Sequence, residues 1–268
     1  MIEAYLARLG LPRAAPGVDY LFTLHRAHVS RVTYSNLQIM RGTPAAIDPE
    51  VSAGEVIAGR GGYCFHLNGA FSWLLRELGF QVTLHRGYVQ RLVQIGEPQL
   101  NHLVLVVHNV QGGPWFVDAG LGDAIHEPLP LAAGRYAQGP FRYEFGPASG
   151  RDGWRFTHDP LGSFDLMEFE SARATIDDFR AAHTHLSTSP ESNFVKFLTA
   201  QVRRADGVQA LRGCVLTVVD AAGRHVRHIE EPDEWVSTLV GLGLTDDGLA
   251  SLWPSERATH EAWLASTS

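Results

Sequence analysis

The sequence predicts an α+β chain in three successive sections, and three observations carry that expectation. Apolar residues recur at helical spacing through the first eighty residues. From Phe80 onward the pattern changes to the alternation and β-branched runs of strands. A last stretch mixes a helical piece with a strand pair and a closing helix.

In the first section, Ala4, Tyr5 and Leu9 define a helix over Glu3 to Leu9 that Gly10-Leu11-Pro12 ends. Leu21, Leu24, His25 and His28 define a second over Tyr20 to Val29. Gly42 to Pro49 is turn-rich, and a third helix starts after Arg60-Gly61-Gly62 and runs through Ala70, Phe71, Leu74 and Leu75 to Gly79. Cys64 stands at its beginning. Strands are then expected over Val82 to Tyr88, Leu103 to Val107 and Trp115 to Val117, separated by turns at Gly96-Glu97-Pro98 and Gly112-Gly113-Pro114. Further short strands continue to about Phe169, and such a run of antiparallel strands favours a sheet closed into a barrel. The last section holds a helical piece at Asn193 to Phe197, strands at Val215 to Val219 and His225 to Ile229 across the Ala222-Gly223 turn, and a helix over Pro232 to Leu242.

The chain has 268 residues, 45% of them hydrophobic and 19% charged, enough for a large core and incompatible with a disordered tail or a disulfide mini-scaffold. Its 29 acidic against 22 basic residues give no field for gathering phosphate backbones, so no nucleic-acid partner is expected. No apolar run reaches the roughly 18 residues of a membrane span, and the N-terminus lacks a secretory pattern, so a cytoplasmic location is expected. There, Cys64 and Cys214 stay reduced. Cys214, beside Val215 to Val219, reads as core. Cys64-x-His66 with His102 and His108 lacks any C-x-x-C or H-x-x-x-H pair, so no metal is expected. His183 and His185 read as solvated residues on a linker.

Cys64, His102 and Asp118 carry the chemistry. A helix start offers unpaired amides and the positive dipole end, both of which lower a thiol pKa. His102 opens one strand and Asp118 closes the next. If Val107 pairs with Trp115, Asp118 falls opposite Val104, on the sheet face of His102, and the two become diagonal neighbours about 7–8 Å apart at Cα. The carboxylate then orients the imidazole, and the imidazolium holds the thiolate. By themselves these residues also fit a small buried thiol beside a structural histidine. His66 is no alternative base, because helix positions i and i+2 point about 200° apart.

Arg60-Gly61-Gly62-Tyr63-Cys64-Phe65 with Asn68, Asn101-His102-Leu103-Val104, and Val117-Asp118-Ala119-Gly120-Leu121-Gly122 resemble the three signature blocks of the arylamine N-acetyltransferases. Tyr5 to Gly10, Leu24 to His28 leading to Asn36-Leu37, and Ser189 to Phe194 match that family's order and spacing. The resemblance implies a helical bundle over 1–80, an antiparallel β-barrel over 81–185 and an α/β lid over 186–268, with a cysteine-protease-like Cys-His-Asp core. It implies ping-pong transfer of an acetyl group from acetyl-coenzyme A, as co-substrate, through Cys64 to an aromatic amine or hydrazine, with no permanently bound cofactor. Small molecules are thus the expected partners, and no oligomeric state is specified. It also implies that Leu121, with Tyr34 and Phe65, lines the acceptor pocket, and that Gly120 and Gly122 let backbone approach the coenzyme.

Four positions depart from the family pattern. His66 stands where an acid is usual, and Tyr34-Ser35-Asn36 where Phe-Glu-Asn is usual, so Arg60 needs another counter-charge. Leu121 replaces a common Phe, which leaves a wider, less aromatic pocket. These departures keep an amide synthase fed by a carrier-protein thioester as an alternative. A transglutaminase-like cysteine hydrolase, which shares the Cys, His, Asp order, and a catalytically dead binding protein are more distant ones.

Overall fold

A computed structural model describes residues 1–93, 97–245 and 247–267; Gly96, in the expected turn before Glu97, lies outside the described residues. The helical section contains α1 (Ile2–Arg8), α2 (Val18–Arg31), α3 (Leu37–Met40), α4 (Pro49–Ile57) and α5 (Cys64–Glu77). Both longer expected helices appear, and Pro49 opens α4 at the position where its missing N–H costs nothing. Tyr5, Leu9, Leu21, Leu24, Phe71 and Leu75 are buried together where α1, α2 and α5 meet.

An eight-stranded antiparallel sheet follows, built from β2 (Val82–Gln90), β3 (His102–Val107), β4 (Trp115–Val117), β5 (Leu129–Pro130), β6 (Gly134–Gln138), β7 (Phe141–Pro147), β8 (Gly153–Thr157) and β9 (Leu166–Ala174). Its order is β5-β4-β3-β2-β9-β8-β7-β6, so the sheet curls into a nearly closed barrel. Every residue of β3 is buried. Leu103, Leu105 and Val107 face the helical core, whereas Val104 and Val106 face the barrel core with Phe116, Phe145, Phe156 and Phe169. One strand therefore serves as the wall between two hydrophobic volumes.

The C-terminal section differs more from expectation. α6 (Arg180–Thr188) occupies the stretch read as a linker, followed by α7 (Asn193–Lys196). Its sheet has five strands: the expected pair, β12 (Val215–Asp220) and β13 (Gly223–His228), is extended by β11 (Gly207–Arg212), β10 (Thr199–Arg204) and the two-residue β1 (Tyr34–Ser35) from the helical section. α8 (Pro232–Gly241) matches the expected closing helix, but α9 (Trp253–Thr267) comes after it. Leu198, Ala200, Leu211, Cys214, Trp235 and Leu239 form this section's core, which places Cys214 where its neighbours suggested.

Asn36 joins the sections: its Nδ2 donates to the Phe194 and Phe197 carbonyls at 2.7 and 2.9 Å, and its Oδ1 accepts from the Thr199 N–H at 2.6 Å. β1, thereby held against β10, also bridges Gly62 through Tyr34 and accepts Gly62 as a partner through a Ser35 N–H···O bond of 2.9 Å. The loop that ends in Cys64 is thus tied to both ends of the chain.

Candidate active site

Cys64 is the first residue of α5, with Tyr63 as N-cap in extended conformation. The turn before it is crowded. A Cβ on Gly61 would lie 2.3 Å from the Thr33 carbonyl oxygen, and one on Gly62 would lie 2.5 Å from the His66 Cβ. Only glycines let the chain pass at this distance.

The sheet register is the expected one: Val107 pairs with Trp115 and Leu105 with Val117, so Asp118 falls opposite Val104 on the His102 face. The Nε2 of His102 and the Oδ2 of Asp118 are 2.7 Å apart, with both side chains essentially sealed from solvent. The second Asp118 oxygen accepts from Asn68 Nδ2 at 2.8 Å and from the Gly120 N–H at 2.9 Å. With Nε2 spent on the carboxylate, Nδ1 of His102 is left without a hydrogen bond among the described residues.

Asn68, one turn beyond Cys64, holds this arrangement. Its amide also donates to the Leu103 carbonyl at 2.6 Å, and its Oδ1 accepts from the Ala119 N–H at 2.8 Å. A single fully buried side chain therefore links α5, the strand of His102 and the turn of Asp118. His25 supports the same turn from α2: its Nδ1 lies 2.9 Å from the His126 carbonyl oxygen, and its Nε2 lies 3.1 Å from the carbonyl oxygen and 3.3 Å from the amide nitrogen of Asp118. Burial lowers the His25 pKa and so favours the neutral ring. Asn101 fixes the beginning of β3, its side chain bonding both the N–H and the C=O of Val89, at 2.7 and 2.9 Å. Nothing local in the sequence marks Asn68, His25 or Asn101 for these tasks. Their signal was membership of the three blocks and of the α2 stripe.

The Cys64 thiol donates to the Asn101 carbonyl at 3.4 Å, next to His102. Burial first, and the Asp118 charge second, push its pKa well up, while the Phe65 and Cys64 amides pull it down. The helix start alone therefore does not ionise this sulfur, contrary to the sequence expectation.

The chain matches the N-acetyltransferase family profile over residues 17–244. It is 30% identical to human arylamine N-acetyltransferase 1 over 240 residues, 81% of this chain and 82% of that one. The chain belongs to the arylamine N-acetyltransferase family. The Mycobacterium bovis arylamine N-acetyltransferase is likewise 30% identical over 269 residues, covering 92% of this chain and 91% of its own. The Mycobacterium marinum arylamine N-acetyltransferase in complex with CoA superposes with a TM-score of 0.82 at 26% identity, covering 93% of this chain and 97% of that one.

The other residues expected at this N-acetyltransferase's site are placed as follows. Tyr34 is partly exposed on β1 beside the Cys64 loop, and burial of its hydroxyl raises its pKa. Leu121 packs into the barrel core. Phe65, expected at the acceptor pocket, is fully enclosed, its ring 5.3 Å from that of Tyr63 and 5.6 Å from that of Phe179. Gly120, expected to let backbone approach the coenzyme, lies against Cys64: a Cβ there would sit 2.8 Å from both Cα and O of Cys64. Gly122, at φ +74°, would drive a Cβ into the Gln201 side chain.

Arg60 finds its counter-charge in Glu55, with Nη2 donating at 2.7 Å. His66 bonds the Ala45 carbonyl through Nε2 at 2.9 Å, and burial lowers its pKa to about 4, as fits a structural residue. His183 is not on a solvated linker. It projects from α6 and bonds the Tyr63 hydroxyl at 2.6 Å, beside the loop that leads to Cys64. Among the described residues no group of three or more His, Cys, Asp or Glu is placed to hold a metal ion, and no helix is long and apolar enough to cross a membrane.

Proposed function

We propose that the chain moves an acetyl group from acetyl-coenzyme A to an aromatic amine or hydrazine through an acetyl-Cys64 intermediate, with Cys64, His102 and Asp118 as the catalytic triad. The observation that carries this reading is the sealed 2.7 Å His102–Asp118 pair, with its free Nδ1 at the strand start where the Cys64 thiol points. In the first half-reaction Nδ1 takes the thiol proton, and Asp118 stabilises the resulting imidazolium. The thiolate attacks the thioester carbonyl, and the amides at the start of α5 are positioned to stabilise the oxyanion. As the carbon–sulfur bond to the coenzyme breaks, the imidazolium returns its proton to the departing thiolate. In the second half the amine attacks the acetyl-Cys64 carbonyl, His102 accepts the amine proton, and the Cys64 sulfur leaves and regains a proton.

Burial of the thiol serves this scheme: it raises the thiol pKa, so Cys64 keeps its proton until a base takes it. Tyr34 and Leu121 are the residues proposed to border the acceptor. The test is incubation with acetyl-coenzyme A followed by peptide mapping. Acetylation of the Cys64 peptide, and its discharge by an arylamine, is the expected result. Unlabelled Cys64, or label elsewhere that discharges at the same rate, refutes the reading. A donor panel separates acetyl-coenzyme A from carrier-protein thioesters.

A further inference from the structure

A cavity of about 200 Å³ opens between α3, the Ala58–Gly61 loop and the Leu244–Thr245 segment of the C-terminal section. None of Cys64, His102 and Asp118 lines it. Its polar lining is one-sided. Ser35, only 4% exposed, accepts from the Leu37 N–H at 3.1 Å, and its own hydroxyl hydrogen meets no acceptor among the described residues. Gln38 accepts the Thr43 hydroxyl through Oε1 at 3.1 Å, which turns its NH2 group away from Thr43 with no acceptor. Arg60 spends Nε and Nη2 on Glu55, leaving Nη1. The Thr245 hydroxyl has no hydrogen bond among the described residues. Glu55 borders a smaller adjoining cavity, but both its oxygens are engaged by Arg60.

Four side-chain donors with no protein acceptor among the described residues line one cavity, a lining that suits a ligand rich in acceptors. We propose that this cavity is a binding site for a small carboxylate, held by Arg60, Ser35, Gln38 and Thr245. A carboxylate offers two oxygens and about four lone-pair sites, matching the donor count, and it pairs well with a guanidinium edge. The volume accommodates one such ion with a few waters, each about 30 Å³. Three of the donors belong to the helical section and Thr245 to the C-terminal one, so an occupant bridges the two sections. It does so through Arg60 and Gly61, at the loop leading to Cys64, and Ser35 is bonded through its N–H to the Gly62 carbonyl. Nothing in this site depends on the acyl-transfer reading.

Thermal unfolding of the purified full chain is followed while sodium formate or acetate replaces chloride at constant ionic strength. A rise in Tm that follows the logarithm of ligand concentration is expected, about 3 °C at ten times the dissociation constant. Ser35→Glu places a tethered carboxylate in the cavity and is expected to abolish the response. Thr245→Val, nearly isosteric, removes one exposed donor and is expected to weaken the apparent affinity several-fold, which keeps the test intact if Ser35→Glu does not fold. No response, a response that stays linear in concentration throughout, or equal responses in wild type and both variants would mean an adventitious ion only, and would overturn the proposal.

Discussion

Replacing Asn68 by Asp tests the reasoning about the site most sharply, because it changes one NH2 group into an oxygen and nothing else. That NH2 group donates to a carboxylate oxygen at 2.8 Å and to a carbonyl at 2.6 Å. An ionised carboxyl in its place would set two anions in contact inside a sealed pocket and leave the Leu103 carbonyl facing another acceptor. The introduced carboxyl must therefore stay protonated in the folded state, where it donates once instead of twice. In the unfolded chain it ionises near pH 4. A group whose folded pKa is raised in this way loses stability as pH climbs above its unfolded value, by about 1.4 kcal/mol per pH unit until the folded group ionises. Relative to wild type, Asn68→Asp is expected to lose roughly 1–3 kcal/mol at pH 5 for the missing donor. The deficit then widens by about 3 kcal/mol by pH 7.5. Asn68→Ala, which removes all three bonds, should cost about 4 kcal/mol at both pH values. Urea unfolding at pH 5.0 and 7.5 measures both variants. A deficit for Asn68→Asp that does not change with pH would refute the assignment of Asn68 as the donor to Asp118.

Asp118→Asn keeps the shape but must turn its oxygen toward Asn68 and Gly120, so its NH2 faces His102 Nε2 and forces the proton onto Nδ1. Acetyl transfer and Cys64 alkylation by iodoacetamide should then fall about 10³-fold, with little change in Tm. Gly120→Ala pushes a methyl against the Cys64 backbone at 2.8 Å. It should cost about 1–3 kcal/mol in a thermal melt and lower turnover with it. Glu256 is a buried carboxyl whose pKa burial raises to about 7 from the ordinary 4.5, while its Oε1 accepts the Leu198 N–H at 2.8 Å. Wild type therefore loses stability as pH rises from about 4.5 to 7. Glu256→Gln, which keeps that acceptor, should remove a fall of about 3 kcal/mol from the pH–stability curve. An unchanged curve would show that the carboxyl ionises freely.

What could be read from the sequence was whatever is local or in register. The β3–β4 pairing follows from two apolar runs and a short Gly-Gly-Pro turn, and that pairing alone places Asp118 on the His102 face. The start of α5 is marked by its glycines and its apolar stripe. What could not be read depends on distant partners. β1 is two residues long and exists because β10 lies alongside it, about 165 residues later in the chain. β10 carries the buried polar residues Gln201 and Arg203, which blur its alternation. Arg203 is satisfied by main-chain carbonyls, including those of Ala124 and Gln138, that no local pattern foretells. α9 has no sustained apolar stripe, and its Glu256 is buried in place of a hydrophobe. The glycines after Asp118 were legible as close approaches, but composition cannot say to what. Gly120 abuts Cys64 and Gly122 abuts Gln201.

The position of β3 between two oily compartments has an evolutionary implication. A residue that swells or shrinks on either side presses on the same ribbon, and the imidazole rides at its end. Acceptor preference could therefore drift through changes in barrel-lining aromatics such as Phe116 or Phe145 that never meet a substrate. Surveys of variants confined to the residues around Cys64, His102 and Asp118 would overlook them.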